Sequence, residues 1–197
     1  MNDRIKEIKQ SFRQMMDGAV AQSMRDKGVD YHLNWGVTLP RLREKADEIG
    51  KNYNLAIALW KENVRECKIL ATMVMPADVI LPEVVDIWME QTETVEIAEQ
   101  ASMNLYQYLP YAPMKAFEWI ASDKELYQLC GFHVLSRLFM NGQEPNERGI
   151  NEFLDQAHVA LQSSNVTVRK AALNCLNRFA DLGLVYERLA DSILRRV

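Results

Sequence analysis

The stretch GVTLPRLREKADEIGKNYNLAIALWKENVRECKILATMV, residues 36–74, predicts three short helices in succession. Gly50 suits the left-handed conformation that often follows a helix end. Asn52 or Asn54 can cap the second helix, and Asn63 the third, each through its side-chain oxygen. Helices joined by about two residues fold back antiparallel. Because none of these helices can bury its apolar face alone, further helices must stack against them.

The rest of the chain continues this helical pattern. We expect an N-terminal helix over residues 1–28, helical pairs over about 36–182 and a closing helix over 183–197. No segment shows the sustained alternation or the hairpin turn that is typical of strands. The sequence therefore predicts an all-α protein with one helical-repeat domain spanning residues 1–197.

Composition narrows the class of protein. The chain has 197 residues, of which 48% are apolar and 25% charged, with a net charge of -4. We expect a cytoplasmic protein, because no apolar run reaches the ~20 residues of a membrane span and the start has no apolar signal core. The three scattered cysteines predict buried, reduced thiols. A dedicated nucleic-acid binder is usually basic, so this chain would have to concentrate its Lys and Arg on one face. No residue pattern indicates a metal or a cofactor.

Self-similarity indicates repeats. Trp35, Trp60, Trp88 and Trp119 are separated by 25, 28 and 31 residues. The run Asn-Val-Arg at residues 63–65 has a counterpart at residues 165–169, NVTVR. Such helix starts are typical of the HEAT repeat, a helical hairpin of ~40 residues that stacks side by side with its neighbours. The alternative is an irregular helical bundle with coincidental tryptophans.

The run PRLREKADEIGKNYNLAIALWKENVRECKILATMV resembles the alkylation-repair DNA glycosylases that are built from HEAT-like repeats. In those proteins a proline-led helix is followed by Leu-Trp and by a helix start rich in Arg and Glu; Leu59-Trp60 and Arg65-Glu66 stand in these places. The resemblance extends over roughly residues 36–180. It implies a right-handed superhelix of helical pairs that holds duplex DNA on its concave face, and lesion bases that are excised without entering a deep pocket.

The resemblance also implies a catalytic pair, a tryptophan with an aspartate four residues later. Trp88 occupies the tryptophan position, but Thr92 stands where the aspartate is expected. The chemistry needs a carboxylate beside the departing base, because positive charge builds on the sugar. Glu90 or Glu93 could substitute at a different spacing. We therefore expect base excision to be weak or lost, and whether the chain is an enzyme stays open.

The DNA-binding residues expected on the helices that line the concave face come from the same resemblance. Each has an ordinary structural alternative: tryptophans pack repeats together, arginines at helix starts tie neighbouring repeats, and lysines form a solvated face. The candidates are Lys61, Arg65, Lys68, Lys115, Lys124, Tyr127, Arg169 and Lys170. Arg137 is a further candidate for neutralising the charge of the DNA backbone.

Two functions remain open from the sequence. One is a repair-type protein that binds damaged or distorted duplex DNA. The other is a protein-interaction scaffold that kept the repeats and lost DNA. The acidic balance and the glutamates at 90, 93, 96 and 99 favour the scaffold, whereas the resemblance favours DNA, which is the function we expect.

Overall fold

The computed structural model describes residues 1–196, which form twelve α-helices and one 3₁₀ turn without any β-strand. The predicted all-α class is confirmed. The helices are α1 Asn2–Gln14, α2 Gly18–Asp26, α3 Leu39–Ile49, α4 Tyr53–Trp60, α5 Arg65–Val74, α6 Pro82–Glu90, α7 Val95–Asn104, α8 Ala112–Ile120, α9 Glu125–Met140, α10 Glu147–Leu161, α11 Val166–Ala180 and α12 Leu184–Leu194, with the 3₁₀ turn at Tyr106–Tyr108.

The chain divides into two compact units, residues 1–105 and the part that begins at 106. In the first unit α4 packs on α5, and α5 packs on α7. In the second unit α8 pairs with α9 and α10 with α11, while α8 also contacts α10 and α9 contacts α11. Each unit thus places helices of successive pairs side by side, as HEAT-like repeats do. The assignment of residues 1–197 to one domain stays a prediction.

The N-terminal helix predicted for residues 1–28 is in fact two helices, so that prediction is wrong. Asp17 interrupts it: its carboxylate accepts hydrogen bonds from the N–H groups of Ala19 and Val20 and so caps α2. The Asp17 N–H donates to the carbonyl of Trp35. Gly36 lies so close to this turn that a Cβ there would be 2.1 Å from the Asp17 carbonyl oxygen. The break between α1 and α2 is therefore fixed by a contact between residues that are distant in sequence.

Most of the helix ends and caps predicted for residues 36–74 are confirmed. Gly50 follows α3 with φ of 70°, and the Asn52 side chain accepts a hydrogen bond from the Leu55 N–H at the start of α4. The cap predicted at Asn63 is wrong, since α5 begins at Arg65 without a side-chain cap. The Arg65 N–H instead donates to the carbonyl of Leu33.

The cysteines are buried and free, as expected. Within the described residues no helix combines the length and the apolar character that crossing a membrane requires. The predicted closing helix is α12; the last residue of that prediction, Val197, lies outside the described part of the chain.

Candidate nucleic-acid interface

Two tryptophans join successive pairs in the first unit. The rings of Trp60 and Trp88 stack with their centroids 4.2 Å apart and their planes within 4°, and each residue is 2% exposed. The Trp60 indole N–H donates to the Gln91 side chain at 2.9 Å. Trp88 therefore contributes buried stacking between α4 and α6, and its ring is covered rather than presented to a ligand.

Thr92 occupies the position where the family resemblance implied an aspartate. Its side chain is 6% exposed and its hydroxyl donates to the Trp88 carbonyl at 2.8 Å. The position expected for the aspartate therefore holds a neutral hydroxyl group whose hydrogen bond is already made. Glu90 and Glu93 are exposed, so the structure does not gather the three predicted catalytic residues into one open site. Their catalytic roles stay predictions.

Arg65 lies at the start of α5 and is 2% exposed. Its guanidinium makes a bidentate pair with Glu96 on α7, with N–O distances of 2.8 and 2.6 Å. It also donates to the Val37 carbonyl and to Glu66, at 2.9 and 3.1 Å. Bidentate, charge-assisted bonds are among the strongest polar contacts in proteins. In this position Arg65 ties neighbouring repeats and does not present its charge to a phosphate.

Glu66 and Glu96, the two carboxylates that Arg65 contacts, each accept further hydrogen bonds. Glu66 is 0% exposed and accepts hydrogen bonds from the backbone N–H groups of Trp35 and Val37. The Tyr31 hydroxyl donates to Glu96 at 2.6 Å. Burial acts to raise the pKa of Glu96, but Arg65 and Tyr31 outweigh it and hold the pKa below its ordinary value. Burial and the adjacent Glu96 raise the pKa of Tyr31, so it remains a donor.

Lys68 follows one turn later on α5 and is half-buried. Its ammonium group lies 4.5 Å from the centre of the Trp60 ring and donates to the Trp60 carbonyl at 3.4 Å. Burial lowers the pKa of Lys68, and the charge of Glu93 opposes that shift in part. Lys68 also lines a cavity of about 70 Å³ at the starts of α5 and α7. Lys61, at the end of α4, is exposed.

Four predicted DNA-binding residues fall together in the second unit, at the starts of α9 and α11. The Asn165 side chain donates to Glu125 at 2.6 Å and so joins the two helix starts. Lys124 precedes α9 and its ammonium group lies 4.8 Å from the centre of the Tyr127 ring. Arg169 donates to the Ser163 carbonyl, and Lys170 is exposed.

Lys115 is placed differently from the other predicted lysines. It lies in α8, is 5% exposed, and forms an ion pair with Glu118 at 2.9 Å. Its predicted role in DNA binding stays a prediction, but its burial does not favour a phosphate contact.

One polar surface of the second unit was indicated from the sequence only by Arg137, and its other lining residues were missed. A cleft of about 600 Å³ lies between α9 and α11. The repeated spacing of three or four residues between polar side chains on both helices could have indicated it. Its lining includes His133, Arg137, Asn174, Asn177 and Arg178. Among residues 1–196, no cluster of three or more His, Cys, Asp or Glu side chains is arranged to hold a metal ion.

Comparison with known proteins identifies the family. Residues 8–181 match the family model described as DNA alkylation repair enzyme, and the chain belongs to that family. A solved structure described as a new family of proteins related to the HEAT-like repeat DNA glycosylases, with affinity for branched DNA structures, superposes with a TM-score of 0.85. It shares 19% identity, over 96% of this chain and 81% of that one. This likeness shows the HEAT-like repeat fold. No curated protein matches the chain.

Proposed function

We propose that this protein binds duplex DNA that is damaged, distorted or branched, with base excision weak or lost. The observation that carries the proposal is the cluster at the adjoining starts of α9 and α11, which consists of Lys124, Tyr127, Arg169 and Lys170. Membership of the alkylation-repair family supports DNA as the ligand. The solved structure with the same fold belongs to proteins with affinity for branched DNA, which supports including branched substrates.

The chemistry of the cluster suits a phosphate backbone. The start of a helix carries a partial positive charge and N–H groups without helical partners, which bind anions. No side chain caps the start of α9. In its first turn the Tyr127 N–H donates to the Lys124 carbonyl, so the N–H groups of Glu125 and Leu126 are those that can face a phosphate. Lys124 and Lys170 add two exposed positive charges beside these groups. Contacts of this kind position DNA and read no sequence, which fits recognition of DNA shape or damage.

The absence of ordinary excision is proposed from the Trp88 region. Trp88 is covered by Trp60, and Thr92 offers a hydroxyl that is already bonded to the Trp88 carbonyl. A hydroxyl cannot supply the negative charge that stabilises a developing sugar cation. An assay with duplex containing an alkylated purine should therefore release base no faster than a protein-free control.

The binding proposal is tested by fluorescence anisotropy with three labelled DNAs: an intact duplex, the same duplex with an abasic site, and a four-way junction. Affinity should fall with salt with a log–log slope of about -4 to -5 for about five phosphate contacts. Replacing Lys124 and Lys170 by alanine should make that slope shallower by about 2, because each phosphate contact contributes about 0.9. The double variant Arg148→Ala/Arg188→Ala removes two exposed charges from α10 and α12 of the same unit and should leave the slope unchanged.

A protein-interaction scaffold is the second candidate. The net charge of -4 and the exposed Glu90 and Glu93 favour it. Glu96, by contrast, is neutralised by Arg65 and adds little to an acidic surface. Salt-independent or undetectable binding to all three DNAs would reject DNA as the ligand and favour the scaffold. A cytoplasmic location stays a prediction.

A further inference from the structure

Lys68 differs from the other lysines that were predicted to contact DNA. Its ammonium group is held over the Trp60 ring at 4.5 Å and by the Trp60 carbonyl at 3.4 Å. Its side chain therefore has a fixed direction, whereas Lys61, seven residues earlier, is exposed. A lysine that is held in place beside a cavity keeps its amine positioned against one atom of a bound group, which a mobile surface lysine does not.

The cavity beside Lys68 is small and polar. It measures about 70 Å³ and is lined by the loop that carries Asp30, Tyr31 and His32 and by the starts of α5 and α7. This volume corresponds to about two water molecules at ~30 Å³ each. It admits an aldehyde carbon, its oxygen and the adjoining carbon, but it is too small for a purine or pyrimidine ring. The aldehyde end of a ring-opened deoxyribose is a group of this size, whereas a base is larger.

The surroundings of Lys68 suit attack on a carbonyl. An amine must lose its proton before it can act as a nucleophile, and partial desolvation promotes this in lysines that form imines. Burial lowers the pKa of Lys68, although the charge of Glu93 opposes the shift. Once a protonated imine forms, the nitrogen carries a positive charge again. The Trp60 ring and the Glu93 carboxylate then stabilise that charge.

We propose that Lys68 is the nucleophile of an abasic-site lyase, forming an imine with the C1′ aldehyde of a ring-opened abasic deoxyribose in DNA. The neutral amine adds to C1′, and the resulting carbinolamine loses water to give the protonated imine. Glu93, which lines the same cavity, takes a proton from C2′ and leaves an enamine. The C3′–O bond then breaks, the 3′ phosphate departs with the strand, and the sugar retains a conjugated imine. Water hydrolyses this imine, which frees Lys68 and an unsaturated aldehyde without any oxidant or reductant.

This inference rests on the proposed DNA binding, and the two are separable by experiment. The protein is mixed with a 5′-labelled duplex that contains one abasic site, with and without sodium borohydride, which reduces an imine to a stable amine. Wild type should give a covalent protein–DNA adduct, and mass spectrometry of its peptides should place the DNA remnant on Lys68. Non-covalent binding to the same duplex is measured in parallel by anisotropy.

Four variants make the test specific. Lys68→Arg keeps the charge and the side-chain stem but cannot form the imine, so its adduct should fall to background; Lys68→Ala should do the same. Lys6→Ala removes an exposed lysine of α1 in the same unit; it is the control and should retain the adduct. Glu93→Gln should still trap, but should cleave the strand about 10²- to 10⁴-fold more slowly, the range typical of a lost general base.

The outcomes distinguish a failure of the lyase from a failure of the proposed DNA binding. Binding to abasic duplex without any adduct overturns the lyase and leaves the proposed function standing. No binding overturns the proposed function and the lyase with it. An adduct that persists in Lys68→Arg identifies another amine and overturns the assignment. Should the Lys68 variants lose their helical circular dichroism, the peptide assignment in wild type still decides: a remnant on any other residue overturns the inference.

Discussion

Replacing Arg65 by alanine should strongly destabilise the first unit. Arg65 makes two hydrogen bonds to Glu96, one to Glu66 and one to the Val37 carbonyl, and it is 2% exposed. Removing one partner of a buried ion pair costs about 3–5 kcal/mol, because the remaining charges are left without compensation. Glu66 is 0% exposed and would bear most of this loss. Glu96→Gln keeps the size of the side chain but turns one of two accepting oxygens into an NH2 group that faces a donor. It should cost less than Arg65→Ala, about 1.5–3 kcal/mol, because Arg65 keeps its pair with Glu66.

The assay is urea unfolding followed by circular dichroism and tryptophan fluorescence, with thermal unfolding as a second measure. For a chain of this length the loss corresponds to a fall in Tm of roughly 2–4 °C per kcal/mol. Arg41→Ala is the control, because its pair with Glu44 is exposed on both sides and should contribute at most about 1 kcal/mol. Wild-type stability in Arg65→Ala, together with weakened DNA binding, would show that Arg65 is a phosphate ligand and would refute this account of the network.

Three further predictions concern buried positions. Arg65 and Tyr31 hold the pKa of Glu96 below its ordinary value against the effect of burial. The stabilisation that Glu96 contributes is therefore present above the ordinary carboxyl pKa and is lost as pH falls through the lowered pKa. The difference in unfolding free energy between wild type and Glu96→Gln should shrink on acidification from about pH 5 to about pH 2. Thr92→Asp should lower stability in urea unfolding by about 1–3 kcal/mol, because it buries a polar group without a prepared partner, and it should not create base release in a glycosylase assay; excision by this variant would mean that Trp88 can reach a lesion. Gly131→Ala should cost about 1–3 kcal/mol, since a Cβ there would lie 2.8 Å from the Ala116 carbonyl oxygen where α9 crosses α8; Gly18→Ala, with no atom within 4 Å of its added Cβ, is the control and should be nearly neutral.

The parts of the fold that could be predicted from sequence are those fixed locally. The glycine after α3 and the cap at Asn52 depend on neighbours within a few residues. So does the cap at Asn165, which accepts hydrogen bonds from two N–H groups in the first turn of α11. The helical periodicity of the apolar residues likewise predicts the all-α class. Each of these signals can be read within one turn of helix.

The errors came from contacts between distant residues. The break between α1 and α2 depends on the bond from the Asp17 N–H to Trp35, and the start of α5 depends on the bond from Arg65 to Leu33. Neither partner is indicated by the local pattern. The burial of Arg65 likewise depends on Glu96, a partner in the next repeat.

A regularity in these long-range contacts could have been used. Arg65 pairs with Glu96, and Trp60 with Gln91, in both cases across 31 residues. Residues at equivalent places in adjacent repeats lie side by side, so complementary groups about one repeat apart indicate a tie between repeats. Comparing the starts of α5 and α7 in this way would have favoured a structural role for Arg65. It would not have shown the fixed position of Lys68, which depends on the Trp60 ring.

The central claim is that the adjoining starts of α9 and α11 hold the DNA backbone. Its most direct test is the salt dependence of binding to a four-way junction, measured side by side for wild type and for the Lys124→Ala/Lys170→Ala variant. The account predicts a steep slope for wild type and one that is shallower by about 2 for the variant. Equal slopes, in a variant that folds normally, would contradict it.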